Sequence, residues 1–273
     1  MHQPLLAKNH LVSVITLSSR GPEHIKRAIQ SVAIQDHKGP KEIIIIGDNP
    51  RWHPNILASL TTKRLAIRCF NIQTDQHFAR LPTVKRVSRL RNIALALVEG
   101  DYFCFLDDDN QWERNHLSTL LITLQQHGSQ VAHAWRALRD PRGNPWIAGR
   151  FPWRCEPARA KQLFRKFTAA GMLSTSEPVF RDSAIAVVDG EDVGAVDMGA
   201  WLFSRAIIDL VRFETEYSAW EIRNSVTEDD KLLARLKQHN IPIACSKAAT
   251  LNYYLGGYSN LQTGTARHNP RIV

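Results

Sequence analysis

Two short apolar runs, each followed at once by acidic residues, constrain the fold of this chain most. Residues 42–46 read EIIII and stop at Gly47 and Asp48, and residues 102–106 read YFCFL and run directly into Asp107. Continuous apolar runs of this length are typical of strands in a parallel sheet that is covered on both faces. No run reaches the roughly 18 apolar residues of a membrane-spanning helix.

Helical patterns alternate with these strands. Residues 11–17 (LVSVITL) predict a first strand, and residues 22–35 predict a helix with Ile25, Ala28 and Ile29 at helical spacing. A further strand is predicted near 65–70 and a further helix over 87–98. Such alternation favours an α/β fold with a mostly parallel central sheet flanked by helices.

Ligands of such sheets bind beyond the carboxyl ends of the strands. Three loops follow predicted strands, and we therefore expect loops 18–21, 47–49 and 107–110 to lie near one another. The pattern becomes less regular after about residue 126, which marks two halves of a single domain, 1–126 and 127–273. Helix 113–126 is predicted to end the first half. The second half predicts these elements: strand 131–138, loop 140–153, basic helix 157–167, helix 227–239 and strand 241–245.

The charge balance indicates an anionic partner. The 273 residues include 35 Lys and Arg against 26 Asp and Glu, a formal net charge of +9. The densest basic stretch also fits a solvated helix face, and no nucleic-acid-binding motif occurs, so sequence-specific nucleic-acid binding is not expected. The four cysteines are scattered without a CxxC pair, and the start has no apolar signal segment, which favours a reducing cytoplasm. The densest basic stretch, mentioned above as a possible solvated helix face, comprises Arg80, Lys85, Arg86, Arg89 and Arg91.

Three adjacent carboxylates follow the strand at 102–106. Asp107, Asp108 and Asp109 repel one another, and a divalent cation such as Mg²⁺ or Mn²⁺ would offset that repulsion with oxygen ligation. Asp107 and Asp109 point the same way if the segment is extended, so these two could face one ion. The alternative is a solvated loop that caps the next helix.

Two further acidic positions have both a structural and a chemical interpretation. Glu228, Asp229 and Asp230 open a predicted helix whose cap is Thr227, where acids favour the helix dipole. One of them could instead act as a general base toward an acceptor hydroxyl. Asp48 could accept hydrogen bonds from a ribose or a base, or it could simply form a turn.

The strands, loops and acidic clusters described above, taken in their order along the chain, resemble the inverting nucleotide-sugar glycosyltransferases of family 2, which have the GT-A fold. The resemblance implies a Rossmann-type sheet in a single domain, with a nucleotide-binding half over 1–126 and an acceptor-binding half over 127–273. The matching segments are 11–35 (opening strand, loop and helix), 43–49 (IIIIGDN), 91–92 with 99–102 (RN, EGDY), 105–112 (FLDDDNQW) and 227–236 (TEDDKLLARL).

The resemblance also implies a role for each matching residue. Asp107 and Asp109, the two ends of the DXD motif, would ligate Mn²⁺ or Mg²⁺, with Asp109 as the first choice, and a late histidine such as His268 stays open as a further ligand. Asp229 would be the catalytic base, with Glu228 beside it. Residues 197–200 (DMGA) resemble the stretch beneath the acceptor site, which precedes a strand and a helix. The donor-binding residues would be Ser18, Arg20, Asp48, Arg91, Asp107 and Asp108.

The implied reaction moves a sugar from a nucleoside diphosphate sugar, with a UDP-sugar as the first choice, to a glycan or lipid-linked glycan acceptor. It would serve bacterial cell-surface glycan synthesis in the cytoplasm, with peripheral association at the inner face of the membrane left open. The QxxRW motif of processive members does not occur, which disfavours a polymerising synthase. Two alternatives remain: a nucleotidyltransferase-like phosphate enzyme, and a non-catalytic nucleotide- or sugar-binding module.

Overall fold

The computed structural model describes residues 10–19, 22–47, 60–147, 149–154 and 156–257. The strands are β1 Val12–Ser18, β2 Lys41–Gly47, β3 Leu65–Asn71, β4 Tyr102–Phe105, β5 Gln111–Trp112, β6 Val131–Arg139, β7 Val179–Phe180, β8 Val187–Val188, β9 Glu191–Asp192, β10 Trp201–Ser204 and β11 Ile243–Tyr254. The helices are α1 Pro22–Ala33, α2 Gln76–Arg80, α3 Thr83–Leu95, α4 His116–His127, α5 Pro157–Ala169, α6 Ala219–Arg223 and α7 Glu228–Gln238, and 3₁₀ turns span Met198–Ala200 and Arg205–Ile207.

One mixed sheet joins both halves of the chain. Its strand order is β3-β2-β1-β4-β10-β6-β11-β5, with β7 added beside β6, while β8 and β9 form a separate ribbon. Strands β3, β2, β1 and β4 are mutually parallel, as predicted for the first half. Strand β10 then runs antiparallel to β4 and β6, and β6 is parallel to β11. Because β10 comes from the second half and pairs with β4 of the first, the halves share one sheet.

The predicted apolar faces are buried in the core of this sheet. All seven residues of β2 are buried, and so are Ile25, Ala28, Ile29 and Val32 of α1. The aromatic side chains of β4 and β10 interlock across the antiparallel pair, with the rings of Phe103 and Phe203 stacked at 5.2 Å. Burial of these side chains is the main favourable contribution to folding.

The boundaries of two helices and one strand differ clearly from the sequence predictions. Helix α3 begins at Thr83 instead of residue 87, because Pro82 in extended conformation sets its start. Helix α4 begins at His116 instead of 113, because the Glu113 amide pairs with the Thr250 carbonyl at 2.8 Å. Strand β11 extends to Tyr254 although the prediction stopped at residue 245. An irregularity in its pairing, with Lys247 at φ 55°, interrupts the alternation that a strand prediction needs.

Among the described residues, no helix is both long and apolar enough to cross a bilayer.

Two buried histidines make the fold sensitive to acid. His116 stacks on Trp112 at 4.4 Å and shares a 2.7 Å hydrogen bond with Thr250, and His133 packs edge-on against Trp201. Burial lowers the pKa of His116 to about 3 and that of His133 to about 4, against an opposing hydrogen bond in each case. Both rings are therefore neutral in the folded protein at pH values where the unfolded chain is already protonated.

We expect the contribution of these two histidines to the free energy of unfolding to be fully present above pH 6.5. It should fall as the pH decreases from 6.5 toward their folded-state pKa values. The maximum slope is about 1.4 kcal/mol per pH unit for each histidine. His116→Gln should flatten the free energy of unfolding between pH 7 and 5, measured by urea denaturation. The exposed His127 provides the control variant, His127→Gln. Equal pH slopes in all three proteins would rule out His116 as a source of acid sensitivity.

Candidate active site

The first and third predicted loops meet at the carboxyl end of the parallel strands. The Ser18 hydroxyl at the end of β1 donates a 2.6 Å hydrogen bond to Asp108 Oδ2, and both side chains are buried. Three other candidates, Arg20, Asp48 and His268, lie outside the described residues. The structure thus brings Ser18 and residues 107–109 together.

Asp109 lies beneath the end of β11. Gly257 packs so closely on the Asp109 carboxylate that a β-carbon at this glycine would overlap Oδ2. Arg27 of α1 donates to the Asp109 carbonyl, and its guanidinium lies 3.6 Å from the centre of the Tyr254 ring. The main chain and side chain of Asp109 are therefore both fixed by elements distant in sequence.

Arg91 joins the two acidic clusters. Its guanidinium donates to Glu228 Oε1 at 2.6 Å and to Asp229 Oδ1 at 3.4 Å, and it forms an ion pair with Asp107 Oδ1 at 3.6 Å. The side chain is only 7% exposed. It projects from α3 past the ring of Phe105, at 5.7 Å. Helix α3 thus supplies one buried cation. Acids from the loop after β4 and from the start of α7 converge on it.

The electrostatics of this cluster follow from crowding acids in a partly enclosed space. Partial loss of hydration, with the nearby Asp197, raises the pKa of Asp107 against the opposing charge of Arg91. Burial and Glu228 raise the pKa of Asp229 well above its ordinary value. Burial opposes the charge on Arg91, but the surrounding carboxylates overcome it and raise the pKa of the guanidinium. A raised pKa makes the Asp229 carboxylate a stronger base than an exposed aspartate.

The acids at the start of α7 divide into structural and site residues. Thr227 and Asp230 form a reciprocal capping box, with the Asp230 carboxylate accepting the Thr227 amide at 2.8 Å. Asp230 is therefore a helix-capping residue. Glu228 and Asp229 turn toward Arg91 instead, and Asp229 Oδ2 also accepts the Met198 amide at 3.2 Å.

A second buried arginine supports the site, and sequence reasoning did not single it out. Arg136 of β6 binds Asp182 through two nitrogens, at 2.8 and 3.0 Å, and donates to Asp197 Oδ2 at 3.2 Å. Asp197 also caps the 3₁₀ turn that presents the Met198 amide to Asp229. An arginine among apolar residues in VAHAWRALR was the available signal, but its partners come from distant segments.

The cations of the basic stretch that lie on α3 have two different environments. Arg91 enters the site, whereas Lys85 and Arg89 pair with Glu216 at 3.0 and 3.8 Å. Their exposed partner carboxylate places these two cations on the surface beside the loop before α6. For Lys85 and Arg89 the interpretation as a solvated helix face therefore describes the structure better.

Asp107 and Asp109 are the side chains that could hold a metal ion. In the part of the chain that the structure describes, no group of three or more His, Cys, Asp or Glu side chains is arranged around a common ion position. Two carboxylates suit Mg²⁺ or Mn²⁺ nevertheless, because such ions commonly complete their coordination with substrate phosphates and water. The Asp107 side chain keeps 41% of its surface exposed, which leaves room for these ligands.

The sequence model of Glycosyl transferase family 2 matches residues 13–188, which include β1, the Asp107–Asp109 loop and Arg136. The chain belongs to glycosyl transferase family 2. Its two acidic clusters and their shared arginine are thus the candidate active site of a member of this family. The resemblance stated from the motifs is confirmed at the level of the family.

Two curated relatives match half of the chain. WcaA of Escherichia coli (strain K12), named as a glycosyl transferase of colanic acid biosynthesis, is 28% identical over 135 residues, which cover 50% of this chain and 44% of WcaA. TuaG of Bacillus subtilis (strain 168), named for teichuronic acid biosynthesis, is 25% identical over 138 residues, or 50% of each chain. The chain therefore spans about half the length of the curated relatives it matches.

Solved glycosyltransferase structures share the fold. S. aureus TarS 1–349 in complex with UDP superposes with a TM-score of 0.56 at 15% identity, covering 89% of this chain and 60% of that one. The mannosyltransferase PcManGT from Pyrobaculum calidifontis, in complex with GDP-Man and Mn²⁺, gives 0.57 at 13% identity, with coverage of 94% and 61%. These likenesses confirm the GT-A fold predicted from the motifs.

The arrangement around Arg91 predicts a large loss of stability when its charge is removed. In Arg91→Met, three crowded carboxylates lose their common counter-charge, and we expect the free energy of unfolding at pH 7.5 to fall by about 3–5 kcal/mol. Arg89→Met, on the same helix but paired at the surface, should behave nearly as wild type in the same urea titration. Similar losses in both variants would show that α3 packing, and not the buried charge network, is responsible.

Proposed function

We propose that this chain is a metal-dependent, inverting glycosyltransferase that transfers a sugar from a nucleoside diphosphate sugar to an acceptor hydroxyl. The observation that carries the proposal is the convergence of Asp107 and Asp229 on Arg91, at distances of 3.6 and 3.4 Å. A donor-binding acid and a basic carboxylate are then side by side at the edge of the sheet where ligands of α/β folds bind.

The donor would lie over the carboxyl ends of β1 and β4. Asp107 and Asp109 would hold the cation, which supplies positive charge to the departing nucleoside diphosphate. Ser18 and Asp108, already hydrogen-bonded to each other, would form the wall beside the ribose. Arg20 and Asp48 stay predicted donor contacts, and the half over 1–126 stays our proposed donor-binding half.

The acceptor would be activated by the second half of the chain, 127–273. Asp229 would take the proton of the acceptor hydroxyl as its oxygen attacks the anomeric carbon, and attack opposite the leaving group inverts the configuration. Arg91 and the Met198 amide fix both oxygens of this carboxylate. Glu228, bound to the same guanidinium, would orient Arg91 and strengthen the base by its charge.

The relatives support a role in cell-surface glycan synthesis, since WcaA and TuaG are named for surface polysaccharides. The complexes of TarS with UDP and with UDP-GlcNAc support a UDP-sugar as the first donor to test, and PcManGT with GDP-Man makes GDP the next. A glycan or lipid-linked glycan is the proposed acceptor. Among the described residues, Cys69, Cys104 and Cys245 are free thiols, which agrees with the proposed cytoplasmic location.

Nucleotide and metal dependence can be tested by thermal shift with UDP, GDP, CDP and ADP, each with and without Mn²⁺. A ligand at 100 times its dissociation constant stabilises the folded state by about 2.7 kcal/mol. We expect one nucleotide to raise the melting temperature only with Mn²⁺, and Asp109→Ala to abolish the shift. A shift of equal size without metal would contradict the assignment of Asp107 and Asp109.

The base assignment is tested by Asp229→Asn. This variant should retain the nucleotide-dependent thermal shift but lower kcat by about 10²–10⁴-fold, because the amide cannot accept the acceptor proton. The exposed Asp209 offers a matched control, and Asp209→Asn should transfer sugar at the wild-type rate. Product analysis separates the alternatives: release of nucleoside diphosphate fits a glycosyltransferase, release of pyrophosphate a nucleotidyltransferase, and binding without turnover a non-catalytic module.

A further inference from the structure

A cavity of about 350 Å³ opens at the edge of the sheet opposite the candidate active site. Its wall includes Lys41, the first residue of β2, and Arg64, immediately before β3. The parallel register sets Lys41 beside Val12 at the start of β1, whereas Ser18 of the active site ends that strand. Seven residues of extended chain span roughly 20 Å, so this cavity is separate from the donor site.

Positive side chains dominate the cavity. None of its five lysines and arginines forms an ion pair with any described residue, although fifteen ion pairs of other lysines and arginines occur across the described chain. We call this cavity the basic pocket, and its cationic residues are Lys38, Lys41, Lys63, Arg64 and Arg114.

Lys41 is the most informative of these residues. The residue is 4% exposed, it lines the pocket, and it forms no ion pair with any described residue. Lysines are rarely this buried unless they are paired, because an unpaired charge loses its hydration. Burial and the positive charge of Arg64 lower the pKa of Lys41. A bound anion would remove both penalties.

The wall of the basic pocket carries less negative than positive charge. Asp36 is the one carboxylate in its wall, and α1 ends there at Ala33 with the partial negative charge of a helix C-terminus. His37 donates Nε2–H to the His10 carbonyl at 2.9 Å, and burial lowers its pKa, so this ring adds no charge near neutral pH. Five cations therefore face a single acid and one helix end.

We propose that the basic pocket is a second anion site, which binds a phosphate-bearing group independently of the donor nucleotide. Ammonium and guanidinium groups from three different segments surround a space large enough for a phosphate or diphosphate ester. The site lies too far from Asp229 to hold the reacting hydroxyl of an acceptor. The phosphate could belong to a soluble phosphorylated molecule or to a phospholipid headgroup.

Calorimetric titration of the full chain with inorganic pyrophosphate tests the proposal, at constant ionic strength and with EDTA to suppress metal-dependent binding at Asp107 and Asp109. We expect one binding event that weakens at least tenfold in Lys41→Met and in Arg64→Gln. Arg64 is exposed, so its variant should fold even if Lys41→Met does not. Lys161→Gln removes an exposed charge from α5 and should bind as wild type.

No binding by the wild type, or an equal loss in all three variants, would overturn the proposal. If pyrophosphate does bind as expected, co-sedimentation with vesicles distinguishes a soluble phosphorylated molecule from a phospholipid headgroup. Binding to phosphatidylglycerol but not phosphatidylcholine vesicles, reduced tenfold in Arg64→Gln, would identify a lipid headgroup. Pyrophosphate binding without vesicle binding would identify a soluble phosphorylated ligand.

Discussion

The buried guanidinium of Arg91 is the interaction on which the active-site arrangement depends. Asp107, Glu228 and Asp229 come from two distant parts of the chain, and their charges would repel one another in the same enclosed space. One planar cation with several donors can bind all three at once, which a lysine ammonium does less well. The charge network thus joins the two halves of the chain at the point where the reaction is proposed to occur.

The position of Asp229 is determined from two sides. Arg91 contacts one carboxylate oxygen, and the Met198 amide contacts the other. The 3₁₀ turn that carries Met198 is in turn capped by Asp197, which Arg136 holds against the core. A general base needs this kind of fixed orientation, because proton transfer depends steeply on donor–acceptor geometry.

Much of the first half could be predicted from sequence because its signals are local. The run at residues 42–46 is apolar throughout and becomes β2, and residues 102–105 become β4 with the acids directly beyond. The fold class followed from the alternation of strand and helix patterns. The meeting of Ser18 with residues 107–109 followed from the position of both at the carboxyl ends of parallel strands. The residue pattern did not predict strand β10, since four residues after a short turn carry little periodicity, but the resemblance of residues 197–200 implied a strand after them.

The sequence by itself determined the family, the parallel half of the sheet and the candidate acids, because each depends on residues that are close together in the chain. Only the tertiary structure separated Asp230, which caps α7, from Asp229, which faces Arg91. It alone paired Arg136 with Asp182 and gathered the lysines and arginines of the basic pocket. Charge pairing and burial depend on distances across the fold, and these are set by how helices and strands pack rather than by neighbouring residues.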